Sequence, residues 1–138
     1  MRRLLLVYDG SPASRAALAR TGEIAGRDDE VCVVNVMPEP GVSCRLAPFT
    51  AERDRQDLLL DDAERHLADR GVAVRTRAAV GDEADATLAA ATAIGADLII
   101  IGESHRRLPR VLGSPCDRIV RRAGCDVLVV HDAPGEPD

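Results

Sequence analysis

"DLIIIGESHRRLPRVLGSPCDRIVRRAGCDVLVVH", Asp97 to His131, is the stretch whose reading decides the fold. Two short runs in it, "DLIIIG" (Asp97 to Gly102) and "DVLVVH" (Asp126 to His131), are nearly continuous in Leu, Ile and Val. Strands covered on both faces look like this, whereas a strand with one wet face alternates. Between them, "SPCDRIVRRAG" offers Ser114 as an N-cap, Pro115 at the first helical position and Gly124 as a stop. A strand, a helix and a second buried strand make a parallel unit with a right-handed crossover.

The same alternation extends back to the start of the chain. "RRLLLVY" (Arg2 to Tyr8), "VCVVNVM" (Val31 to Met37) and "VAVRTRAAV" (Val72 to Val80) read as three further strands, the last alternating in part as an edge strand does. "SPASRAALARTGEIAG" reads as a helix capped by Ser11, with Pro12 in its first turn and Gly26 as its stop. "AERDRQDLLLDDAERHLADRG" places Leu59, Ala63 and Leu67 on one stripe, and "DEADATLAAATAIG" runs from Asp82 to Gly95. The order β-α-β-α-β-α-β-α-β predicts an α/β fold, a single doubly wound domain with a five-stranded parallel sheet and helices on both faces. The domain is expected over residues 1–132, with the polar "APGEPD" at 133–138 a disordered tail. The longest irregular connection, "PEPGVSCRLAPFT" (Pro38 to Thr50), holds three of the eight prolines and reads either as a functional lid or as a plain surface loop.

Composition excludes several function classes. The net charge is −5, and one Tyr and one Phe provide no stacking platform, so nucleic acid is not an expected partner. All 18 basic residues are arginine, which removes the Walker-type phosphate loop and lysine Schiff-base chemistry. No apolar run spans a bilayer and "MRRLLLVYDG" is a poor signal peptide, so no membrane partner and a cytoplasmic location are expected. Cys32, Cys44, Cys116 and Cys125 show no metal-ligand or disulfide spacing, and no metal site is expected.

Ligands of doubly wound sheets sit beyond the carboxyl ends of the strands, which directs attention to two places. Asp9 follows the first strand directly; its carboxylate either accepts from a ribose hydroxyl or an adenine amino group, or assists the turn with Gly10. Ser114 opens a helix whose free amides and dipole attract anions, and Gly113, Arg106, Arg107 and Arg110 precede it within one loop. Set against this reading are an ordinary helix cap and a solvated basic loop. His105 lies in the same loop as a phosphate hydrogen-bond donor or an idle residue, whereas His66 reads as solvent-facing and His131 ends the last strand. Cys116 reads as a small apolar filler, or as a thiol whose pKa is lowered by the helix end.

Four stretches, "LLLVYDGSPASRAALARTGEIA", "VCVVNVMPEP", "VGDEADATLAAATAIGADLIIIGESH" and "LGSPCDRIVRRAGCDVLVVH", together resemble the universal stress protein family over essentially the whole chain. The resemblance implies a sheet ordered 3-2-1-4-5, of the kind found in adenine nucleotide alpha hydrolase-like proteins, and an adenine-nucleotide pocket between the ends of strands one and four. It implies ATP or AMP as ligand, with Mg²⁺ accompanying only ATP. Carried over, Asp9 faces ribose or adenine, the backbone near Val36 meets the adenine edge, and Gly102, Gly113, Ser114 and Pro115 line the phosphate path. The family pattern is glycine, two residues, glycine, nine residues, glycine and Ser or Thr. Here His105 stands at the second glycine and only seven residues separate it from Gly113, so the arginines, Arg106 first, are candidates to replace lost amides.

Three functions follow in order: a nucleotide-binding stress-response module, a member acting through protein contacts alone, and a weak ATP hydrolase or phosphoryl-transfer enzyme using Asp9 and Glu103 to hold Mg²⁺. No catalytic residue is assigned. The unblunted last strand, at an edge in the implied order, predicts a homodimer.

Overall fold

The computed structural model describes residues 1–39, 46–103 and 114–132, with only the backbone considered for 46–50. Five parallel strands, β1 (Arg3–Val7), β2 (Glu30–Met37), β3 (Ala73–Val80), β4 (Leu98–Glu103) and β5 (Asp126–His131), form one sheet in the order β3-β2-β1-β4-β5. The helices are α1 (Pro12–Ile24), α2 (Leu46–Asp69), α3 (Glu83–Ile94) and α4 (Pro115–Arg122). The expected fold class, strand order and edge position of β3 are all observed.

The strand order fixes which face each helix covers. From β1 the chain steps outward through β2 to β3, so right-handed crossovers put α1 and α2 on one face; the return to β4 and β5 puts α3 and α4 on the other. Two cores result. Leu4, Leu6, Val31, Val33 and Ile100 pack with Ala17, Leu18, Leu60, Ala63 and Leu67 of α1 and α2. Leu5, Val7, Val34, Ile99 and Ile101 pack with Ala84, Ala90 and Ile119 of α3 and α4. Alternate residues of one apolar run therefore serve opposite cores. Leu4, Leu5 and Leu6 are fully buried, each contributing about 2 kcal/mol.

Local signals set the helix ends. The Ser11 Oγ accepts from the Ser14 N–H (3.2 Å) and the Asp82 carboxylate from the Asp85 N–H (2.9 Å). Gly95 closes α3 at φ 67, a left-handed conformation that glycine adopts without steric cost. Two expectations are corrected. Part of the connection assigned to Pro38–Thr50 is helical, because α2 starts at Leu46; Pro48 falls in its first turn, where backbone N–H groups have no intrahelical partner. The buried stripe of α2 is Gln56, Leu60, Ala63 and Leu67, with Leu59 only half-buried, because the helix rolls Leu60 onto the sheet.

Candidate functional site

Strand order reverses at β1, and Asp9 stands just beyond it. A turn opened by Gly10 (φ 81) leads into α1. The Ser11 N–H donates to Asp9 Oδ1 (2.9 Å) and the Asp9 N–H donates to Ser14 Oγ (3.2 Å). Burial pushes the Asp9 carboxyl up, but the hydrogen bonds from Ser11 and Ser14 outweigh it and hold the group below its ordinary value. Asp9 is thus both a turn-assisting residue and an ionised acceptor at the switch point.

Asp9 and Val36 line one cavity of about 290 Å³ at the carboxyl ends of β1 and β2, closed on its far side by Glu52, Arg55 and Gln56 of α2. Two buried amides shape its wall. Asn35 Nδ2 donates to the Tyr8 carbonyl (2.8 Å), tying β2 to the end of β1. Gln56 Nε2 donates to the carbonyls of Asn35 (2.9 Å) and Ala79 (3.0 Å), tying α2 to the ends of β2 and β3. With its amide protons engaged in this way, Gln56 keeps a buried Oε1 without a donor among the described residues. A buried acceptor in that state costs free energy that a donor group would recover.

On the other side of the switch point, Gly102 lies in β4, paired with Val130 of β5. A Cβ there would collide with the Ala13 carbonyl and come within 2.8 Å of the Ser14 nitrogen. The glycine is required by the close approach of α1 to β4, whatever a ligand asks of it. Ser114 and Pro115 open α4, and the Ser114 Oγ accepts from the Asp117 N–H (3.1 Å), which is the ordinary cap. His105, Arg106, Arg107, Arg110 and Gly113 lie outside the described residues. Cys116 is buried in the α3/α4 core, as expected of an apolar filler.

One residue near Asp9 is not singled out by its sequence position. Glu83, in the first turn of α3, has its carboxyl pushed up by burial and by the negative charges of Asp9 and Asp82, against the pull of Arg118. Arg118 forks onto Asp82 (2.9 and 3.1 Å) and Arg122, in the last turn of α4, reaches Asp85 (2.9 Å), so α4 is held along its length beside the start of α3. Among the described residues no group of three His, Cys, Asp or Glu side chains could hold a metal ion.

The profile of the universal stress protein family matches residues 1–131. This chain belongs to that family. A putative universal stress protein of Staphylococcus saprophyticus is 33% identical over 139 residues, covering 94% of this chain and 83% of the relative. A universal stress protein solved in complex with cAMP superposes with a TM-score of 0.76 at 23% identity, covering 96% of this chain and 98% of that one. A family member from Arabidopsis thaliana with AMP bound gives 0.75 at 15% identity, covering 100% and 96%. These two structural likenesses concern the fold. The Asp-Gly-Ser of this family member at residues 9–11 and its Gly-Ser at 113–114 are the resemblance-carrying motifs, and Ser11 and Ser114 both cap helices at the carboxyl side of the sheet. Among the described residues no helix is long and apolar enough to cross a membrane.

Proposed function

We propose that this universal stress protein binds an adenine nucleotide, with the base in the cavity between Asp9, Val36 and Gln56 and the phosphates directed toward Ser114 at the start of α4. The observation that carries this reading is the shared cavity at the switch point, which brings an ionised acceptor together with strand-end backbone at Val36. Structural neighbours that hold cAMP or AMP lend the nucleotide its class. The phosphate path includes Gly102, Gly113, Pro115, His105 and Arg106, and Pro115 supplies no N–H there.

Charge favours the less anionic nucleotides. Asp9 and Glu52 outnumber Arg55 in the cavity lining, Glu83 lies within reach of the Asp9 charge, and Asp117 lies in the first turn of α4. A triphosphate meets more repulsion in these surroundings than AMP or cAMP does. Mass spectrometry of the purified protein and calorimetry with ATP, AMP and cAMP test the reading. Asp9→Ala is expected to weaken AMP at least 10-fold, and Glu83→Gln to strengthen ATP relative to AMP. Wild-type affinity in Asp9→Ala, or no binding of any of the three nucleotides, would refute the assignment. The module is further proposed to act as a homodimer through β5, whose outer edge is unpaired among the described residues.

A further inference from the structure

A larger cavity lies at the other end of the sheet, on the face covered by α3. It has a volume of about 560 Å³, and its lining includes Arg3, Glu30, Cys32, Arg75, Arg77 and Ile94. The cavity lies where α3 covers β1 and β2 more fully than β3: the upper part of β3 reaches the α3 core through Ala79, while its lower part carries charge where an inner strand carries Val or Leu. In the β2–β3 register Cys32 pairs with Arg75 and Val34 with Arg77, which puts both arginine side chains on the α3 face. Two residues apart on a strand, their Cα atoms are separated by roughly 6.6 Å.

Charge there runs against the rest of the molecule. The chain carries a net −5, yet three guanidinium groups and one carboxylate line this cavity. Among the described residues neither Arg75 nor Arg77 has an ion-pair partner. The Arg3 side chain, among the described residues, reaches only the Ile94 carbonyl, at 3.5 Å. The arginines that form ion pairs among the described residues are Arg2, Arg20, Arg65, Arg118, Arg121 and Arg122, each on an aspartate or glutamate. Burial pushes the Cys32 thiol up while the positive charges of Arg77 and Arg75 pull it down, in keeping with guanidinium groups that lean over the groove floor.

We infer that this groove is a second ligand site, separate from the switch-point cavity, for a small molecule carrying two oxyanion groups, held by Arg75 and Arg77 with Arg3 at its inner end. Planar guanidinium forks match phosphate and carboxylate oxygens bidentately, and the strand spacing presents two forks to two such groups. The competing explanation is that Arg75 and Arg77 only deter edge-to-edge pairing of β3. That role needs charge on the edge but no saturable ligand.

The test is an amide-resolved NMR titration of the full chain with sodium pyrophosphate and, separately, sodium succinate, at constant ionic strength against a chloride control. The expected result is saturable shifts at Cys32, Arg75, Thr76 and Arg77 with at least one probe, the tighter one naming the oxyanion. Arg75→Ala/Arg77→Ala should weaken that binding at least 10-fold with the rest of the spectrum unchanged, and Arg75→Lys/Arg77→Lys should recover part of it. Asp9→Ala should leave it intact, which separates this site from the nucleotide reading. Shifts that merely follow ionic strength, that map elsewhere, or that persist in the double alanine variant would overturn the proposal.

Discussion

At the scale of single residues, Gly102 shows how a motif position acquires a meaning from packing. Its place in the family pattern points to phosphate, whereas its surroundings are the backbone of Ala13 and Ser14, pressed against β4. Backbone cannot yield as the far end of a side chain can. Gly102→Ala is therefore expected to cost about 3 kcal/mol, at the upper end of ordinary overpacking, in urea unfolding with or without nucleotide. An unchanged midpoint would mean that α1 stands farther from the sheet. Asp9 and Ser114 are the opposite case: both make the local hydrogen bonds that a turn and a cap need, and those bonds leave room for a further role. Glu83 and Gln56 entered only through their neighbours, Asp9 for one and the ends of β2 and β3 for the other.

Among the elements, the two edge strands differ in how they face solvent. β3 runs for eight residues and carries Arg75 and Arg77, whereas β5 runs for six and has Val127, Leu128, Val129 and Val130 in succession. Three of these four are only half-buried, and no charge, proline or bulge blunts the strand between Asp126 and His131. A copy pairing antiparallel along β5 would satisfy both rows of backbone groups and cover these side chains. Light scattering is expected to give twice the 14.7 kDa chain mass for the wild type. Val129→Pro, which removes a ladder donor, and Val129→Arg, which retains it, should both shift the protein toward monomer. A wild type that stays monomeric at high concentration, or variants that remain dimeric, would place the interface elsewhere or remove it. The helix assignments were legible wherever a cap was: Ser11 and Ser114 act as read, and Asp82 caps the helix that was read to start there. The start of α2 was not, because it has no such cap signal and the prolines at Pro38, Pro40 and Pro48 imitate a loop.

For the molecule as a whole, closure of the first β-α-β unit rests on a buried carboxylate. Asp29 receives the Arg2 guanidinium (2.8 Å), the Arg2 N–H (3.0 Å) and the Gly26 N–H (2.8 Å), binding the start of β1 to the turn before β2. The Arg2 side chain, then the Gly26 amide, hold its carboxyl well below the usual carboxylate range against the effect of burial. A depressed carboxyl pKa contributes stability above the unfolded value near pH 4 and loses it as pH falls toward the folded value. Asp29→Asn is expected to cost about 2 kcal/mol at pH 7 and to flatten the fall in urea stability below about pH 4; an equally steep fall would assign the acid response to other groups. By itself the sequence determined the α/β class, the number of strands and the caps, because these depend on apolar runs and on side chains that act within a few residues of themselves. Family motifs spread over the whole chain added the strand order, which the sheet bears out. Only the tertiary structure decided that Asp9, Val36 and Gln56 share one cavity, that Gly102 answers to α1, and that Arg75 and Arg77 border a groove left open by α3. Each of those facts depends on which helix lies over which strand. Crossover handedness and strand order settle that across distances no local pattern in the chain records.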